Sequence, residues 1–119
     1  MQHRIIHLAV ADLRFDPAAA AARITALCQH HPALRPTGLC LIAETLIVPF
    51  AETTDHARQE YVFAPLGDLP LTRDEATATI VARLYAGFTL IGTFEDGRIH
   101  WALFAQAPRQ PVRQKKLQP

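Results

Sequence analysis

Leu71-Thr72-Arg73-Asp74-Glu75 opens the stretch, running on to Phe104, whose reading decides the fold of this chain. The Thr72 hydroxyl is placed to accept from the Glu75 amide while the Glu75 carboxylate reaches back to the Thr72 amide. This reciprocal cap starts a helix and contributes roughly 1 kcal/mol. Ala76, Ile80, Leu84 and, one turn edge away, Val81 follow as an apolar stripe at helical spacing, and Gly87 supplies the left-handed residue that ends the helix. Asp96-Gly97 then reads as the two-residue turn of a hairpin, because such turns need positive φ. Counting outward from it pairs Glu95 with Arg98, Phe94 with Ile99, Gly92 with Trp101 and Leu90 with Leu103. One face is then Leu90, Gly92, Phe94, Ile99, Trp101 and Leu103, apolar throughout, with glycine making room for the indole. The other face, with Thr93, Glu95, Arg98 and His100, is wetter.

Working back toward the start, Ile6, Leu8 and Val10 alternate with His7, Ala9 and Ala11, which predicts a half-buried strand over about Arg4 to Ala11. Asp16-Pro17 predicts a helix start, aspartate as cap and proline at the first position, where its missing amide costs nothing. Ala20, Ile24, Leu27, Cys28 and His31 fall on one side of that helix, and Pro32 limits its length. Pro32, Pro36 and Gly38 predict a loop. The apolar run Leu39 to Phe50 is broken only by Glu44-Thr45, and a hairpin about those two residues is preferred to one long strand. Ala51 to Gln59 reads as an exposed connection, and Glu60 to Leu66 alternates as another strand.

The two halves resemble each other. Gly38 to Ala43 matches Gly87 to Gly92, Thr45 to Ala51 matches Ile99 to Ala105, and Ala11-Asp12-Leu13 matches Gly67-Asp68-Leu69. The reading is one α+β domain over 1–107, with βαββ repeats at 3–51 and 60–105. It expects a two-layer sandwich, a mostly antiparallel sheet with two helices on one face. The alternative is a ferredoxin-like arrangement with an added hairpin strand. The last residues, 108–119, hold both lysines of the chain and are read as a disordered basic tail.

A chain of 119 residues, half of them hydrophobic, is long enough for one self-supporting core. Two cysteines in apolar runs argue for reduced thiols and a cytoplasmic setting, and no stretch is long and apolar enough to span a membrane. Candidate chemistry is sparse. His3 and His7 share a strand face and would hold a metal only with His100 beside them. His30 and His31 suit a helix C-terminus, where a cation is favoured. Cys28 and Cys40 read as core residues rather than nucleophiles. Glu44 is an acid/base candidate if buried and a turn residue otherwise. Asp12 and Asp68 occupy equivalent turn positions and would frame a site only if the halves brought them together. No residue is assigned a catalytic, cofactor or metal role, and the balance leans away from an enzyme.

Glu60-Tyr61-Val62-Phe63, a capped helix, Gly87-Phe88-Thr89-Leu90-Ile91 and a hairpin ending Trp101-Ala102-Leu103-Phe104 together resemble a family of small bacterial βαββ domains of unknown function. The resemblance covers Glu60 to Ala107 and implies a compact helix-on-sheet unit without catalytic residues. The function expected is a small non-catalytic interaction or assembly module, forming a homodimer or binding a protein partner. A small-molecule-binding protein or enzyme with a site between the halves is second, and a nucleic-acid accessory using the tail is third. The dimer is expected because the body contains no lysine to guard exposed strand edges.

Overall fold

The computed structural model describes residues 3–55 and 57–107, so the expected tail, 108–119, lies outside the described residues. Seven strands and three helices follow one another as β1 (His3–Ala9), α1 (Val10–Phe15), α2 (Pro17–His30), β2 (Leu34–Pro36), β3 (Cys40–Ile42), β4 (Thr45–Glu52), β5 (Glu60–Asp68), α3 (Arg73–Tyr85), β6 (Thr89–Glu95) and β7 (Ile99–Gln106). The α+β class with antiparallel strands is the expected one. The strands divide into two sheets: β4 pairs with β1 on one edge and with β2 and β3 on the other, while β7 lies between β5 and β6. In both sheets the last strand of the half lies in the middle, with the first strand at one edge.

The local signals explain most element ends. Asp16 caps α2 by accepting from the Ala19 amide at 3.1 Å. The Thr72–Glu75 box is complete, with Glu75 Oε1 accepting from the Thr72 amide at 2.9 Å and Thr72 Oγ1 from the Glu75 amide at 3.1 Å. Gly87, at φ +96°, closes α3 as expected. Helix α1 was not expected: Val10 and Leu13 are one turn apart and both buried, and the Asp16 amide bonds to the Asp12 carbonyl. Strand β2 replaces part of the expected loop, because Leu34 is drawn into the core and the strand pairs with Phe50 to Glu52.

Two turns differ from the reading by one residue. The β3–β4 hairpin turns on Ala43-Glu44, both in the left-handed region at φ 51° and 65°, and the start of α1 holds it through Val10 N to Glu44 O at 3.0 Å. The β6–β7 hairpin turns on Gly97-Arg98 rather than Asp96-Gly97. Asp96 must precede the turn because its Oδ1 accepts from both the Arg98 and Ile99 amides at 2.8 Å. Phe94 therefore faces Trp101, and Gly92 faces Leu103. This slip of two preserves the two faces, as the period of a strand requires. The register shifts again between Leu90 and Gly92, which moves Leu90 to the face of Phe104. Room for the indole is thus not what Gly92 provides. A Cβ there would meet Leu39 Cγ at 3.4 Å, so the glycine admits a leucine of the first half.

The main core gathers Leu8, Leu13, Ile24, Leu34, Leu46, Val48 and Phe50 from the first half with Phe63, Phe94, Trp101 and Leu103 from the second. A second cluster, Ala64, Leu66, Ala102 and Phe104, lies on the opposite face of the second sheet, with Ile80 of α3, Phe88 and Leu90 packed on it. Ala102 and Phe104 are thus covered by α3 and offer no surface to a second copy. The helices do not share one face: α2 lies alongside β5 and feeds the main core, whereas α3 covers the second cluster. Strand β5 is an edge strand, and Thr25 of α2 accepts its Tyr61 amide at 3.3 Å, which helps close the edge.

Candidate functional site

The candidate histidine site is not assembled. His3 and His7 are exposed on β1 in the first sheet, while His100 is half-buried on β7 in the second. His30 is the last residue of α2 and His31 its cap, as expected. Glu44 is exposed on the hairpin turn, which removes it as a buried acid. Asp12 is exposed on α1 and Asp68 at the end of β5; they line separate grooves, one with Arg23 and one with Arg14 and Arg98. No group of three metal-ligating side chains occurs among the described residues. No helix among them is long and apolar enough to cross a membrane.

The two cysteines part company. Cys40 is exposed, whereas Cys28 is buried and its thiol donates to the Tyr61 hydroxyl at 3.8 Å. Burial pushes the Cys28 thiol up, outweighing the hydrogen bond with Tyr61 and the field of Arg35. Burial, reinforced by Cys28, likewise pushes the Tyr61 phenol up. Both are neutral at pH 7 and unsuited to nucleophilic work.

Three arrangements of residues not singled out by the sequence stand in their place. The first joins the halves. The Asp96 side chain is fully buried; its Oδ2 accepts from Arg14 Nε at 2.7 Å and from Trp101 Nε1 at 3.0 Å, while Arg14 Nη2 donates to its carbonyl at 3.1 Å. Burial alone would raise this carboxyl. The Arg14 guanidinium, the Ile99 amide, the Trp101 indole and the Arg98 amide outweigh burial and hold it well below the usual carboxylate range. All its partners stabilise a permanent anion, so it is a structural tie rather than a proton donor.

The second is the outer face of α3. No residue of this helix is buried. Ala76 and Ile80 are half-buried, as the stripe predicted, but Val81 is 39%, Leu84 47% and Tyr85 89% exposed. Arg83 closes the inner side, its guanidinium 5.0 Å from the Phe88 ring centre and 5.6 Å from that of Phe104. Helical spacing puts Asp74, Ala78, Val81 and Tyr85 in one outward row, with Thr77 and Leu84 beside it. The third is a cleft of about 460 Å³ between the end of α2, the approach to β2 and the connection into β5. Comparison with protein-family models, curated proteins and solved structures finds no match for this chain.

Proposed function

We propose that the chain is a non-catalytic assembly module that pairs with a second copy of itself through the outer face of α3. The observation that carries this reading is a helix with no buried residue and an apolar row, Val81, Leu84 and Tyr85, left facing water. Contiguous exposed apolar surface of this kind marks interaction sites. A two-fold axis would set this face against its own copy, the isologous contact of the commonest closed assemblies. Thr77 and Ala78 are small enough to let the two backbones approach. The shared strand order of the two sheets supports a diverged βαββ duplication, and the β5–α3–β6–β7 order agrees with the small bacterial βαββ family. Free Cys28 and Cys40 suit a reducing, cytoplasmic setting.

Sedimentation equilibrium tests the pairing across about a hundredfold range of concentration, over which a reversible dimer changes its mass average. The full chain is expected to move from one chain mass toward two, and Leu84→Glu to stay at one while melting within a few degrees of the parent. A mass constant at one chain, or a dimer that survives Leu84→Glu, overturns the reading; the surviving dimer would redirect attention to the outer edge of β1.

A further inference from the structure

The cleft at the end of α2 involves none of the α3 surface and raises a separate question. Cys28, Gln29, Pro32, Arg35, Arg58 and Gln59 line it. We propose that it binds a small organic anion, a carboxylate or a phosphate monoester carrying an apolar body of a few carbons.

The charge is one-sided. Among the described residues, two arginines line the cleft and no acidic residue does. Arg35 is held by backbone carbonyls alone: Nη1 donates to Pro32 O at 2.9 Å and Leu34 O at 3.0 Å, and Nη2 to Ala57 O. These bonds orient the guanidinium without neutralising it and leave part of its fork free. They also pin the connection at Ala57, which sets the neighbouring Arg58 at the cleft. Arg58 has no hydrogen-bond or ion-pair partner among the described residues. Planar guanidinium forks match carboxylate and phosphate oxygens, which is the chemistry such a pair recognises.

The remaining surface suits the body of such a ligand. Cys28, a neutral thiol, and Pro32 supply an apolar wall. Gln59 uses its Oε1 to accept from the Tyr61 hydroxyl at 3.0 Å, which leaves its amide nitrogen as a donor. A volume of about 460 Å³ falls within the range of small-molecule sites. The negative end of the α2 dipole opposes an anion here, but it is equivalent to roughly half an elementary charge against two full positive ones.

The test is an NMR titration of the ¹⁵N-labelled full chain at fixed ionic strength with phenyl phosphate, with benzoate and with benzyl alcohol. At least one anion is expected to shift the Gln29, Arg58 and Gln59 amides saturably, the tighter of the two naming the head group, while the alcohol leaves them in place. Arg58→Gln should weaken that binding about tenfold or more, the loss of one charge-assisted contact, and Arg73→Gln on α3 should leave it unchanged. Absence of a saturable shift with both anions, equal binding of the alcohol, or an unchanged affinity in Arg58→Gln overturns the proposal.

Discussion

Helices α2 and α3 follow the first strand of their respective halves, yet they do opposite work. Helix α2 buries Ala20, Ala21, Ile24 and Cys28 and lies alongside β5, so residues of both sheets meet in its core. Helix α3 buries nothing completely and rests on a small cluster of its own. Similar topology therefore yields one helix that joins the two sheets in one core and one that rests on the outside of a single sheet. A helix released from core duty is free to spend its apolar residues on another molecule.

The sharpest way to break this comparison is a matched pair of truncations. Ile24→Ala removes a side chain with no solvent exposure and should cost about 2 to 5 kcal/mol in urea unfolding, the range for deep core cavities. Ile80→Ala, half-buried, should cost less than half as much, since less area leaves contact with protein. Equal losses at the two sites would erase the division of labour between the helices.

The junction between halves gives the next effect. Asp96→Ala strips Arg14, Trp101 and two amides of their common acceptor and should cost about 3 kcal/mol, the low side of a broken buried pair because Arg14 regains water. The pH dependence has a definite sign. The native carboxyl is held below the usual range, so its stabilisation is fully present above the unfolded value and is lost as pH falls through the native one. Melting temperature should drop from about pH 4 downward more steeply in the parent than in Asp96→Asn. Parallel curves would mean that the tie carries no charge-dependent stability.

The smallest effect sits on the first half's hairpin. Ala43 holds φ 51° at the cost of strain, so Ala43→Gly should raise stability by about 1 kcal/mol. The corresponding turn of the second half already has glycine at Gly97, φ +92°, and should gain nothing from further glycine at Arg98 beyond a small entropic loss. A destabilised Ala43→Gly would show that the two turns are not strained differently.

These contrasts also show where the residues were legible. Capping chemistry is local, so Asp16, Thr72, Glu75 and Gly87 marked their helix ends directly. Strands β1 and β5 were visible in alternation, β4 in the likeness of the halves and β7 in the count outward from the turn. Turn positions slipped because Asp-Gly is a strong local signal, whereas the carboxylate of Asp96 answers to Arg14 on the other half. Ala43-Glu44 carries no turn signature at all. Helix α1 and strand β2 are too short for periodicity to reveal, and alternation assigns residues to faces, not strands to separate sheets. The cleft was out of reach for a similar reason, since Arg35 and Arg58 become neighbours only when the connection after β4 returns past the end of α2.

The Arg14–Asp96 tie joins residues 82 positions apart in the chain. Closing so long a loop costs entropy that early local contacts do not repay, and the hairpin tip presents its carboxylate only after β6 and β7 have paired. Such a contact is expected to form in the last steps of folding. Interactions absent from the transition state leave the folding rate almost untouched and act on unfolding. The buried pair is therefore expected to act as a latch in time as well as in space: Asp96→Asn should speed unfolding and leave the refolding rate nearly unchanged.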